Sequence, residues 1–265
     1  IINKYEGFGA SSSGMTDNRV NNVDQGTKFE KPSYTFSENA YNSYFARINY
    51  DFNDKYFFEA TYRKDGSSLF GKNKRYADFY SIGANWNAKR ESFLEDVEWL
   101  NKLNVRVSYG TTGNSGISEY LANGLIGSGA QYNGKETWGL SQVENPDLTW
   151  ETVESTNIGI NARLFDFVDV EVELYNKNTK DMLMEIPYSY ATGFSGGWGN
   201  IGNMNNKGVD LTLGFNVIST KDITFNVSGT FNYNKNEITK LFGGRDEFVV
   251  PNAGIKYQVG KPLGE

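Results

Sequence analysis

Aromatic residues recur in the segments of this sequence that are rich in Gly, Asn and Ser. A flat aromatic ring stacks on a sugar ring or covers an apolar patch of a partner, so one interpretation is contact with a ligand or a partner protein. The alternative is that these rings pack one loop against another, which is the commoner use of such residues. The candidates for ligand or partner contact are Tyr132, Trp138, Tyr188, Tyr190 and Trp198.

Charged residues form a second candidate set, because several of them fall on the polar side of strand-like alternation. Arginine and glutamate in such positions can line a path for a polar solute. The alternative is a solvated wall in which the charges pair with each other and contribute little else. The candidates are Arg47, Glu59, Arg63, Arg106, Arg163, Glu171 and Glu173.

The sequence has no Cys and no His. Disulfides and thiolate metal sites are thereby excluded, and the usual general base and commonest metal ligand are missing. The Asp and Asn residues of 1–40 and 236–255 lack the spaced ligand set of a Ca²⁺ loop. Neither enzymatic activity nor a cofactor is therefore expected. The net charge of −6, without a Lys/Arg cluster, argues against a nucleic-acid partner.

The clearest periodic stretch runs from Lys207 to Asn234. Apolar residues occupy every second position from Val209 to Val217, and the pattern resumes after a short polar break at Ile223. A period of two predicts strands with one apolar and one polar face. Two such runs joined by a tight polar turn predict an antiparallel hairpin.

The same alternation extends over most of the chain and predicts an all-β, antiparallel, up-and-down meander of eight strands. Long loops are predicted for 1–40, 111–151, 178–206 and 236–265, and a short helical turn around Phe93 to Leu100. The predicted strands cover residues 44–52, 55–65, 76–88, 103–112, 153–164, 168–177, 207–217 and 223–235.

The lengths of these strands and loops favour a transmembrane barrel. A strand of about ten residues, tilted near 45°, spans about 23 Å, which fits the apolar band of a barrel. The short turns at 53–54, 165–167 and 218–222 all fall at one end of the meander, and the longest loops fall at the other. Tyr and Phe recur at strand ends, where an aromatic girdle would lie. The alternative is a soluble sandwich or adhesin-like solenoid, in which the apolar face is a core.

Four segments, in this order, resemble the barrel of SusC/RagA-type TonB-linked outer-membrane transporters. Individually each motif is modest, and together they extend the resemblance over most of residues 40–265. The segments are Arg63 to Gly71 with the following Arg75 to Trp86, Asn104 to Asn114, Asn145 to Glu151, and Asn200 to Asp210.

The resemblance implies that the chain is an arc of a barrel of about 22 strands in the bacterial outer membrane. Such a barrel holds an N-terminal plug preceded by a TonB box, and the sequence is expected to contain neither. The implied partners are a SusD-like surface lipoprotein, TonB acting through the N-terminal region, and outer-membrane lipid. The implied function is import of oligosaccharides or peptides, with the charged candidates lining the lumen or contacting the plug. The alternative is a secreted or surface glycan-binding protein or adhesin without transport.

Overall fold

The structure, a computed structural model, describes residues 1–15, 22–194, 196–249 and 254–263, with only the backbone of residues 129, 130 and 190. Within these ranges nine strands form one sheet, and each strand pairs antiparallel with the next of the nine along the chain. The predicted all-β antiparallel meander is confirmed. In sheet order the strands are β1 (Ile2–Gly9), β4 (Ser33–Phe52), β5 (Tyr56–Ser67), β6 (Tyr76–Asn87), β7 (Leu100–Asn114), β10 (Glu151–Leu164), β11 (Val168–Lys180), β14 (Asn203–Ser219) and β15 (Thr224–Lys240).

Shorter elements occupy the connections. Among the described residues, four two-stranded pairs lie in the long loops, and the helical pieces are each three or four residues long. No helix in the described part of the chain is long and apolar enough to cross a membrane. The pairs are β2 (Ser12–Ser13) with β3 (Lys28–Phe29), β8 (Leu125–Tyr132) with β9 (Lys135–Gln142), β12 (Leu183–Pro187) with β13 (Gly196–Asn200), and β16 (Glu247–Val249) with β17 (Lys256–Gln258). The helical pieces are α1 (Ser92–Glu95) and 3₁₀ turns at Val23–Gln25, Ala88–Arg90, Tyr190–Thr192 and Phe242–Gly244.

The sheet has one apolar face and one polar face, because the pairing register keeps side chains of one kind in line. One apolar row crosses five strands, and the neighbouring row on the other face is polar. Ile158 and Leu174 of the apolar row remain 44% and 49% exposed, so no other described part of the chain covers them. The apolar row is Val107, Ile158, Leu174, Val209 and Tyr233, and the polar row is Arg106, Gly159, Glu173, Asp210 and Asn232.

The prediction of a loop over residues 1–40 is wrong. Residues 2–9 form β1, which pairs with the first eight residues of β4, and β4 is 20 residues long. The added part of β4 was missed because the polar residues Ser37, Glu38 and Asn39 separate its apolar Tyr34 and Phe36 from the alternation that begins at Tyr44. Polar cross-strand contacts pair this part with β1, such as the amide pair Asn3–Asn39 at 2.9 Å and the ion pair Lys4–Glu38 at 3.2 Å.

The other predicted loops also contain strands. Residues 111–151 hold the hairpin β8–β9, and residues 178–206 hold β12–β13. Residues 236–265 were predicted as a loop, but β15 continues to Lys240 and β16 pairs with β17. The predicted helical turn is one short helix, α1, and Leu100 already belongs to β7. These segments escaped the period-two analysis because their strands are short or carry polar residues on both faces.

Most of the buried apolar residues in the described part of the chain lie at the long-loop end, while Ala88 and Leu100 are buried at the short-turn end. One cluster contains Phe70, Phe79 and Trp150, and a second contains Ile238, Leu241 and Phe248. Each combines residues from the end of a long strand with residues from a loop. The loops therefore have a small hydrophobic core of their own, which fixes them on the strand ends.

A polar cluster fixes the opposite, short-turn end. Glu91 follows the Ala88–Arg90 turn and accepts hydrogen bonds from Tyr56 Oη at 2.5 Å, Trp86 Nε1 at 3.2 Å and Lys55 Nζ at 3.3 Å. The Tyr56 hydrogen bond is the largest cause that lowers the pKa of Glu91 below its usual value, followed by that of Trp86. Lys89 Nζ donates to the carbonyls of Leu94, Glu95 and Val97, each at 2.9 Å, and so closes the end of α1.

Substitution of neighbouring residues on β14 tests the two faces. We expect Leu211→Arg, on the apolar face, to lower the free energy of unfolding by about 2–4 kcal/mol if it lies near the bilayer midplane. Thr212→Arg, on the polar face, should cost much less. Denaturant unfolding of the full-length protein in lipid vesicles measures both changes. Equal destabilisation by the two substitutions would contradict the assignment of the faces.

The Glu91 cluster predicts a pH dependence. Because the pKa of Glu91 is lower in the folded state, its stabilisation is full above the unfolded pKa of about 4.3 and is lost as pH falls through the folded pKa. We expect Glu91→Gln to abolish this loss of stability at acidic pH. Denaturation midpoints between about pH 3 and pH 7 measure it. Glu98→Gln, at an exposed carboxylate in the same connection, serves as the control and should keep the wild-type profile.

Candidate functional site

A cleft of about 920 Å³ lies on the polar face and is bordered by six adjacent strands, β4 to β7, β10 and β11. Its central part is formed by small side chains, which leave the space open. Longer charged side chains stand around them. The small residues are Ser81, Gly83, Ser108, Gly110, Ser155 and Gly159.

One ion pair stands at the β4 side of this cleft. Arg47 Nη2 lies 2.6 Å from Glu59 Oε2, and Arg47 Nε also donates to Asn49 at 3.2 Å. The Arg47 and Glu59 side chains are 57% and 45% exposed, so the pair adds little to stability. Both side chains remain available to a molecule in the cleft.

A second charged group joins β7 to β11. Arg106 Nη2 lies 3.1 Å from Glu171 and 3.8 Å from Glu173, which leaves an excess of one negative charge. The Arg106 side chain lies across Gly159, since a Cβ atom at that position would be 3.0 Å from the guanidinium. A glycine on the middle strand therefore lets the arginine reach carboxylates on the strand beyond it.

The remaining charged candidates pair locally. Arg63 pairs with Asp65 on its own strand, and the Asp65 side chain is 6% exposed. Arg163 donates to the carbonyl of Asp166 at 2.8 Å, within the turn between β10 and β11. The cleft thus brings together five of the seven predicted lumen residues, while Glu171 and Arg163 are outside its lining. The five are Arg47, Glu59, Arg63, Arg106 and Glu173.

The aromatic candidates do not form one group. Tyr132 and Trp138 lie on the β8–β9 hairpin and are 80% and 73% exposed. Tyr188 and Trp198 are partly buried near the β12–β13 pair, where a Cβ at Gly197 would meet the Tyr188 ring. The side chain of Tyr190 is outside the described part of the structure. Contact of these residues with a ligand or partner stays a prediction.

The β8–β9 hairpin exposes an apolar face that the sequence analysis missed. Ile126 pairs with Leu140, and Trp138 lies two residues before Leu140 on the same side of β9. Ile126 and Leu140 are each 67% exposed. The missed signal was Asn133-Gly134, whose φ angles of 51° and 74° make the left-handed two-residue turn typical of hairpins.

The motifs at 63–71, 145–151 and 200–210 meet around Trp150, which is 6% exposed. The centroid of the Trp150 ring lies 4.7 Å from that of Phe70 and 5.7 Å from that of Phe79. Trp150 Nε1 donates a hydrogen bond to the carbonyl of Arg75 at 3.1 Å. Asn200 bonds both the amide and the carbonyl of Thr149, each at 2.8 Å. These contacts therefore fix the loops that carry the three motifs to the strand ends.

Glycine at position 71 is required by the same junction. Its amide donates to the carbonyl of Leu148 at 2.9 Å, which brings the two loops into direct contact. A Cβ atom there would lie 2.1 Å from the carbonyl oxygen of Pro146, a backbone atom that cannot move aside easily.

Comparisons with known proteins agree with this architecture. A family model described as "TonB dependent receptor-like, beta-barrel" matches residues 3–263. The TonB-dependent receptor SusC of Bacteroides thetaiotaomicron is 34% identical over 244 residues, 87% of this chain and 24% of that protein. TonB-dependent receptor P39 of Formosa agariphila is 35% identical over 226 residues, 85% of this chain and 22% of that protein.

A solved structure is also similar to this chain. The RagAB peptide importer in its closed-closed state is 37% identical and superimposes with a TM-score of 0.89, over 98% of this chain and 30% of that chain. The present chain spans about a quarter of the length of the curated relatives it matches.

Substitution of Trp150 tests the loop core. Trp150→Ala should destabilise the long-loop end by about 3–5 kcal/mol, because it leaves a cavity beside Phe70 and Phe79. Local hydrogen exchange of residues 145–151 measures the change. Trp138→Ala, at an exposed ring, is the matched control and should leave that exchange unaltered. Equal effects of the two substitutions would contradict the structural role of Trp150.

Proposed function

Because the chain belongs to the family of TonB-dependent receptor β-barrels, we propose that it forms part of the wall of a barrel that imports a nutrient across the outer membrane. The observation that carries this proposal is the two-faced sheet. Its apolar face suits contact with lipid, and its polar face borders a cleft with charged side chains. Oligosaccharide is the first candidate solute, because exposed aromatic rings suited to sugar stacking lie at the long-loop end.

Peptide is the second candidate, and two observations favour it. A structure that is 37% identical to this chain is that of a peptide importer. In addition, Arg47 and Glu59 on one side of the cleft, and Arg106 and Glu173 on another, offer both signs of charge to a zwitterionic chain.

The proposed partner at the long-loop end is a SusD-like surface lipoprotein. The apolar side of the β8–β9 hairpin, made of Ile126, Trp138 and Leu140, supports this proposal because large exposed apolar patches commonly mark protein interfaces. Energy would reach the barrel from TonB through a plug. Outer-membrane lipid would surround the apolar face, and the proposal assigns no catalysis to this chain.

Uptake by living cells tests the transport proposal. A strain that lacks the full-length receptor should lose TonB-dependent uptake of labelled oligosaccharides, or of labelled peptides if the second candidate holds. Restoring the receptor gene should restore uptake, and a protonophore should abolish it. Unchanged uptake of both solute classes in the deletion strain would refute the proposal.

Co-purification tests the proposed partner surface. The double substitution Trp138→Ala and Leu140→Ala should weaken binding of the lipoprotein about tenfold or more, because buried Trp residues commonly dominate interface energy. Ser141→Ala, on the opposite face of β9, is the control. Quantitative pull-down from detergent-solubilised membranes measures both variants. Wild-type recovery of the lipoprotein with the double variant would exclude this face as the contact.

A further inference from the structure

Two lysines face each other on neighbouring strands just beyond the apolar face. Lys207 on β14 is the direct register partner of Lys235 on β15. The next pair along the same side of the sheet is Val209 with Tyr233, followed by Leu211 with Phe231. The lysine pair is therefore the first polar row beyond the apolar residues, on the long-loop side.

Two like charges in this arrangement repel each other. Directly opposed residues in an antiparallel pair have Cβ atoms about 4.5–5.5 Å apart, and like charges at such positions are destabilising. Glu237 lies 2.9 Å from Lys235 and close enough to Lys207 to feel its charge as well. One carboxylate beside two ammonium groups leaves a net charge of about +1 in this row.

Amide groups on the adjoining strand complete the surroundings. Asn176 on β11 is the register partner of Lys207 on the other side. Asn205 donates to the amide oxygens of Asn176 and Asn178, each at 2.6 Å. These bonds use the oxygen of Asn176, so its amide nitrogen is a further donor beside Lys207.

We propose that Lys207, Lys235 and Asn176 bind the phosphate of a lipid headgroup in the outer leaflet. An anion at this position would relieve the lysine repulsion by charge-assisted hydrogen bonds. A lipid fits better than free phosphate, because the acyl chains would lie along Val209, Leu211 and the aromatic side chains below the lysines. The inference rests on the proposed barrel and its orientation, in which the long loops face outward.

Binding of purified lipid A to the delipidated full-length receptor tests this site. The receptor is titrated in neutral detergent with diphosphoryl lipid A, with the same lipid after dephosphorylation, and with inorganic phosphate. We expect the diphosphoryl form to bind and to raise the unfolding temperature. The dephosphorylated form should bind at least tenfold more weakly, and inorganic phosphate at the same concentration should have no effect.

The double substitution Lys207→Gln and Lys235→Gln should lower the affinity for diphosphoryl lipid A at least tenfold. Without lipid, the variant should unfold at the same or a higher temperature than the wild type, because the repulsion is gone; this separates lost binding from misfolding. Lys177→Gln, at the same height but on the polar face, is the control and should keep wild-type affinity.

Three results would overturn the site: equal binding of both lipid forms, wild-type affinity of the double variant, or an equal effect of free phosphate. Solute uptake is measured on the same variants. If solute uptake does not depend on the receptor but lipid A binds as expected, the import proposal fails and the lipid site stands. If uptake depends on the receptor but lipid A does not bind as expected, the lipid site alone is excluded.

Discussion

The structure depends on the hydrogen-bonded pairing of long antiparallel strands. Because neighbouring strands satisfy each other's N–H and C=O groups, the sheet needs no second layer to cover its backbone. Its two faces are then free to meet different solvents. The pairing must hold its register, since a slip of one residue would bring Arg106 into the row of Val107 and Ile158.

Two different kinds of packing close the ends of this sheet. At the short-turn end, Glu91 gathers Tyr56, Trp86 and Lys55 through hydrogen bonds over a short connection. At the long-loop end, Phe70, Phe79 and Trp150 supply a buried core. Long loops have more conformational entropy to lose than short turns, so the larger apolar burial lies where the ordering cost is larger.

The sequence predicted those parts of the fold in which side chains alternate between two environments. The strand from Val209 to Val217 was predictable because its apolar residues occupy every second position and therefore lie on one face. The first half of β4 and all of β1 were missed, because polar residues interrupt the alternation, at Glu38 in β4 and at Lys4 and Glu6 in β1. Trp150 is 6% exposed and lies in the centre of the loop core. Its partners Phe70 and Phe79 are about 70 to 80 positions earlier, and no period in the sequence links them.

Periodicity also explains why the candidate site was predictable as a face but not as a set of contacts. It placed Arg106 and Arg163 on the same polar side. It carried no information on Gly159, whose missing side chain lets Arg106 reach Glu171, 65 positions away. Arg163 is held by the turn beside it instead. How far a charged side chain reaches across the polar face thus depends on the size of its neighbours on adjacent strands, and that relation exists only once the register is formed.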